Sequence, residues 1–164
     1  TEIDELQERE GVPYRLYVSQ GLIRPSGENY VDYNDCFEWF KMLVEEYEIL
    51  PLKVGYDRYT AQYLVQQMNA YGFHMDDVYQ GENLTPVLHE ADGLLRDKTL
   101  RLGTNKLLKA HFLNVGMKQN VENRKIRPVK IDQRCHIDGF VSVIDALTVR
   151  QKWYNQIGEQ LRNE

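Results

Sequence analysis

Between two stretches of helical spacing lies Leu52-Lys53-Val54-Gly55-Tyr56, an apolar run that reads as a buried strand and delivers an aspartate, Asp57, at its carboxyl end. Upstream, from Asp35, residues Cys36, Trp39, Phe40, Leu43 and Tyr47 recur at three and four positions, and Asp35 with Glu38 resembles a capping box. Downstream, residues 60–71 form a second helix with Tyr63, Leu64, Met68 and Tyr71 on one side and Gly72 as its C-terminal cap. Strands that alternate with helices in this way argue for an α/β domain with a partly parallel sheet.

The rest of the chain keeps to that plan. Residues 2–20 predict two short helices broken at Gly11-Val12-Pro13, because proline excludes the residue before it from regular helix. Residues 22–25 and the pair Tyr30-Val31 read as short strands, as does Val78-Tyr79. Thr85-Pro86 starts a helix, the hydroxyl as cap and the proline in the first turn. Residues 100–102 look extended and 105–113 helical. Two polar strand-like pieces, 115–118 and 126–131, are joined by the turn-prone Glu122-Asn123-Arg124. A final helix runs from about Asp138 into the 150s on Phe140, Val141, Ile144, Leu147 and Trp153. The expected organisation is one domain over residues 1–164, a length and a 42% hydrophobic content that suit a single core.

The net charge of −5 conceals an uneven distribution. Residues 1–95 carry 6 basic and 18 acidic side chains, whereas residues 96–134 carry 11 basic and 3 acidic ones. On that feature alone a solvated surface is a stronger reading than a nucleic-acid groove. No run of eighteen apolar residues and no basic-then-apolar amino terminus occurs, so neither a membrane span nor a signal peptide is expected. Cys36 and Cys135 suggest neither a disulfide framework nor a zinc knuckle, which points to a reducing cytoplasm.

Two carboxylates stand where a sheet-based site puts them: Asp57 after its strand and Asp138 at the opening of the last helix. Magnesium and manganese prefer hard oxygen ligands and keep several waters, so a few convergent carboxylates hold them. Two such ions about 3.5–4 Å apart activate a water and stabilise the leaving oxygen in phosphodiester cleavage. As isolated residues, however, Asp57 reads better as a turn residue and Asp138 as an N-cap.

The order of several short segments changes that balance. Val54-Gly55-Tyr56-Asp57-Arg58-Tyr59-Thr60-Ala61, then Gln80-Gly81, then His136-Ile137-Asp138-Gly139-Phe140-Val141 resemble the nuclease domain of phage terminase large subunits, as do Val12-Pro13-Tyr14, Gln20-Gly21-Leu22 and Val31-Asp32-Tyr33. The resemblance runs from about residue 3 to residue 149 and implies a ribonuclease H-like mixed sheet flanked by helices. It implies a two-metal endonuclease that cuts concatemeric double-stranded viral DNA, with Mg2+ or Mn2+ on Asp57 and Asp138. It implies as partners the terminase ATPase domain, the small terminase subunit and the portal, in the cytoplasm of the host. The basic stretch would then meet the DNA backbone through Lys118, Arg124, Lys125, Arg127 and Lys130, with Asn114 and His136 as further candidates.

The chain also departs from the pattern. The family's first metal-binding aspartate lies on an opening strand upstream of the region matching Thr1, so full nuclease competence is not expected of these residues alone. No phosphate loop ending in Gly-Lys-Ser/Thr occurs, so neither is ATP hydrolysis. Asp145, two turns after Asp138, stands where relatives carry an apolar residue; it is a candidate further metal ligand, although a core-edge residue bonded to a neighbour is the stronger reading. His74, His89 and His111 show no ligand spacing. Two other readings stay open: a non-catalytic module that binds DNA or docks on the portal, and a ribonuclease H-like junction resolvase.

Overall fold

A computed structural model describes residues 2–27, 30–59, 62–160 and 162. Helices α1 (Glu2–Glu10) and α2 (Tyr14–Ser19) are separated at Gly11-Val12-Pro13 as expected. Arg15 pairs with Asp4 across the break, which folds the two helices back on one another. Residues 22–25 and 30–31 form no strand. Gly21 and Gly27 bracket the first segment with positive φ of 69° and 63°, a left-handed backbone that ends an extended run at each side.

Helix α3 (Tyr33–Glu45) starts three residues earlier than a cap at Asp35 implies, because Asp32 is the cap: its carboxylate accepts the Asn34 N–H at 2.9 Å. Strand β1 (Val54–Asp57) follows, then α4 (Gln62–Tyr71), closed by Gly72 at φ +119°. Thr60 and Ala61, the expected start of that helix, lie outside the described residues. The inner faces of α3 and α4 are Phe37, Val65 and Met68, joined by Phe73. Trp39 and Tyr63, expected on the core sides, are instead 43% and 79% exposed. Helical spacing identifies a face without saying which part of it is covered.

Strand β2 (Met75–Val78) pairs in parallel with β1, Gly55 opposite Asp76 and Asp57 opposite Val78. A single 3-10 turn (Gly81–Leu84) leads into α5 (Thr85–Arg96), then α6 (Lys106–Leu113), the antiparallel hairpin β3 (Val115–Gln119) and β4 (Ile126–Lys130), and the 23-residue helix α7 (Asp138–Gln160). Thr85 does not cap α5; its hydroxyl serves the Glu82 and Ile126 carbonyls. The main core gathers on α7, where Phe140, Ile144 and Leu147 meet Val78, Leu84 and Leu88. Phe112 of α6 packs edge-on against Phe140 at 5.0 Å. A second core under α3 and α4 covers the other side of β1 and β2 through Val54 and Met75. The parallel pair is therefore sandwiched between α7 and the α3–α4 layer, which leaves its carboxyl end as the place where polar side chains collect.

Candidate functional site

The site is built on a contact with almost no side chain in it. Gly55 of β1 lies so close to α7 that a Cβ there would stand 2.8 Å from the Asp145 carbonyl oxygen and 2.7 Å from Val149 Cγ2. Alternation along a strand puts the Asp57 side chain on the same face as that missing Cβ. Direction follows from the strands' other ends. Lys53 Nζ sits 4.4 Å over the Trp153 ring, and Asp76 binds Lys152 at 2.7 Å and the Trp153 indole. Strand β1 therefore runs against the direction of α7, from the level of Trp153 towards the helix start, and carries Asp57 to the side of Asp145.

Asp145 is 7% exposed and accepts the Gln80 side-chain amide at 2.9 Å. Burial pushes its carboxyl up to about 6; the Gln80 bond works in the opposite direction, and the neighbouring Asp57 charge raises it further. Asp57 is half-buried, and its carboxylate accepts the Tyr59 N–H at 3.1 Å to close a tight turn after the strand. A buried and a half-buried carboxylate thus lie within electrostatic reach of one another, and among the described residues no cationic side chain acts on Asp145 to balance the charge. Such a pair suits a hard divalent cation, since magnesium takes one or two carboxylates and completes its shell with waters and phosphate oxygens. Among the described residues no three His, Cys, Asp or Glu side chains come close enough together to hold a metal ion.

Asp138 is in a different setting. It opens α7, about 10 Å along the axis from Asp145, and its side chain is 78% exposed. His136 Nδ1 lies 3.4 Å from Asp138 Oδ2, while His136 Nε2 meets Glu10 Oε2 at 3.0 Å. Glu10 also accepts the Tyr14 hydroxyl at 2.5 Å, and that bond, with lesser help from Arg9 and His136, holds its carboxyl down to about 2 against the effect of burial. His111 accepts the Gly139 N–H on Nδ1 at 2.8 Å, and burial lowers its pKa. The start of α7 is thereby tied to α1 and α6 through histidines.

The basic residues fall on the hairpin. Lys118 and Arg127 are directly opposite each other, so two like charges share one exposed face. Arg124, at φ 60°, and Lys125 stand exposed on the connecting loop. Lys130 is half-buried on the other face, opposite Val115. Asn114 has its amide on the His136 carbonyl at 3.0 Å and its own carbonyl on the Ile131 N–H, so it braces the loop before α7. The structure thus brings Asp57 together with Asp145 and leaves Asp138 further along the same helix. Gln80 is the residue of the site that spacing alone does not expose: Gln80-Gly81 stands out in the sequence as a segment, but its partner is 65 positions away.

A family described as "Terminase large subunit, endonuclease domain" has a model that matches residues 3–152. Among solved structures, the "Crystal structure of the HK97 bacteriophage large terminase" aligns with a TM-score of 0.78 at 18% identity, over 88% of this chain and 30% of that one. At that identity the likeness is one of fold, and the chain spans less than a third of that protein. No curated protein matches the chain. The α/β, ribonuclease H-like class expected from the sequence is the fold observed.

Proposed function

Because the chain belongs to the endonuclease-domain family of terminase large subunits, we propose that it is a metal-dependent endodeoxyribonuclease module that cuts concatemeric double-stranded viral DNA. The observation that carries this reading is the convergence of Asp57 and Asp145, with Asp138 at the start of the same helix. Asp57 and Asp138 would hold the metal, with Asp145 beside Asp57 as a candidate further ligand; the three carboxylates do not form one cluster, Asp138 standing about 10 Å along α7 from Asp145. Gln80 holds one Asp145 oxygen and so fixes that side chain beside Asp57. His136, fixed by Glu10, orients the exposed Asp138 carboxylate. Mg2+ or Mn2+, when bound, supplies a stronger water nucleophile and positive charge at the leaving oxygen.

Lys118, Arg124, Lys125 and Arg127 meet backbone phosphates, which gives salt-sensitive and sequence-independent affinity. In the whole packaging motor the partners are the ATPase domain, the small terminase subunit and the portal, in the host cytoplasm. Among the described residues no helix is long and apolar enough to cross a membrane.

The test is nicking of supercoiled plasmid in manganese by the full-length protein that carries this domain. Asp57→Asn, Asp138→Asn and Asp145→Asn, which keep side-chain size and remove the charge, should each lower the rate at least about 100-fold. Full activity in Asp57→Asn would show the site to be misassigned. A second reading, a non-catalytic DNA-binding module, draws on the distance of Asp138 from the other two acids. Salt-dependent DNA binding that EDTA leaves unchanged, with no cleavage at all, would select it.

A further inference from the structure

The basic hairpin is held at its tip by one carboxylate. Glu82, in the Gly81–Leu84 turn, accepts the Asn120 amide on Oε1 at 2.9 Å and the Asn123 amide on Oε2 at 3.0 Å. The same two asparagines shape the loop from inside. Asn120 Oδ1 accepts the Glu122 N–H at 3.0 Å, and Asn123 Oδ1 accepts the Lys125 N–H at 2.9 Å. A second tie lies one turn on: Thr85 Oγ1 donates to the Ile126 carbonyl and accepts the Ile126 N–H, both at 3.0 Å. Arg124 and Lys125 project from this braced loop into solvent.

The segment that grips the loop is also the one that reaches the acid site. Gln80, two residues before Glu82, donates to Asp145, and the Asn83 amide donates back to the Gln80 carbonyl at 3.1 Å. One short stretch of chain, 80–85, therefore has the acid pair at one end and the cationic loop at the other. Glu82 gives both carboxylate oxygens to amides, and Arg124 and Lys125 remain exposed for an outside anion.

We propose that Glu82 is a positioning residue for DNA: by holding Asn120 and Asn123 it sets Arg124 and Lys125 at a fixed place relative to Asp57 and Asp145. Backbone phosphates of a duplex then meet the cations and the acid pair in a single register. The inference rests on the DNA-cutting reading above. Its energetic basis is pre-ordering, since a loop already fixed does not have to be immobilised when DNA arrives.

Charge alone predicts the opposite of this proposal, which makes it testable. Removing an acid beside a phosphate backbone should tighten binding, whereas releasing the loop should weaken it. The measurement is fluorescence anisotropy of a short labelled DNA duplex with this chain in EDTA, over a series of salt concentrations. Glu82→Ala should raise the Kd about three- to tenfold and make the salt dependence shallower by about one phosphate contact. Glu82→Gln should also bind weakly, because its amide faces an asparagine amide. Glu82→Gln combined with Asn123→Asp exchanges donor and acceptor, restores both bonds at unchanged net charge, and should bind within about twofold of the wild type.

A Glu82→Ala protein that binds as tightly as the wild type, or more tightly, overturns the proposal and leaves the DNA-cutting reading standing. A double exchange no better than Glu82→Gln alone overturns it in the same way, even where Glu82→Ala fails to fold. If the wild type shows no salt-sensitive binding to DNA, the reading beneath the proposal fails, and the proposal goes with it.

Discussion

Replacing Asp145 by asparagine should stabilise the protein at pH 8 and slightly destabilise it at pH 4. Asp145 is 7% exposed, and its carboxyl is pushed up from 3.8 to about 6, by burial first and by the Asp57 charge in addition. At about 1.4 kcal/mol per pH unit, the ionised side chain destabilises the folded state by about 3 kcal/mol relative to the unfolded chain. Below pH 3.8 both states carry the proton, and there is no penalty. Between that pH and about 6 the unfolded chain releases the proton while the folded chain keeps it, so stability falls as pH rises; above 6 the penalty is complete. Asparagine keeps an oxygen for Gln80 and does not ionise, but its buried amide loses water, at about 1 kcal/mol. The net gain at pH 8 is about 2 kcal/mol, or a Tm higher by roughly 4–8 °C. Circular-dichroism melts in EDTA from pH 4 to pH 8 measure it. An Asp145→Asn protein that melts at or below the wild type at pH 8 would refute the argument, because the acid would then not lie in a dry place beside another negative charge.

The same site should respond to its cation: manganese at about ten times its Kd should raise the wild-type Tm by roughly 3–6 °C, and an equal rise in Asp57→Asn would count against Asp57 as a ligand. Gly55→Ala, whose new methyl meets backbone and Val149 at under 3 Å, should destabilise by about 1–3 kcal/mol. Gly93→Ala, inside α5 with nothing within 4 Å, should instead stabilise by about 0.5–1 kcal/mol; if both glycines responded alike, the close contact between β1 and α7 would be disproved. Thr85→Val strands both the N–H and the carbonyl of Ile126, at a loss of about 1–3 kcal/mol. Amide exchange at Ile126 should accelerate with it, and unchanged protection there would show the hydroxyl tie to be unimportant.

What could be read from the sequence was whatever depends on neighbours in the chain. Helix α7 is legible because Phe140, Ile144 and Leu147 recur at helical spacing, and β1 because an apolar run ends on a turn-forming aspartate. Cap chemistry alone does not place the start of α3, because Asp32 and Asp35 both have it, and only the backbone at Asp32, extended at φ −80° and ψ 112°, distinguishes them. Residues 22–25 have strand composition but no partner strand, and composition carries no information about partners. Asp57 and Asp138 stand out by the order of their motifs. The burial of Asp145 beside Asp57 does not, since it depends on β1 running against α7 and on the approach at Gly55. Gln80 and Glu82 were hidden for the same reason, their partners lying in α7 and in the hairpin loop.

The approach at Gly55 sets the spacing between the strand and the long helix. With a strand backbone pressed directly on the Asp145 carbonyl, no side-chain layer lies there whose repacking could alter the distance. Asp145 therefore takes its place from a backbone contact, whereas Asp138, about 10 Å along the same helix, takes its place from the histidine ties to α1 and α6. Of the two acids on this helix, one is located by the sheet and the other by hydrogen bonds that a single histidine substitution would remove.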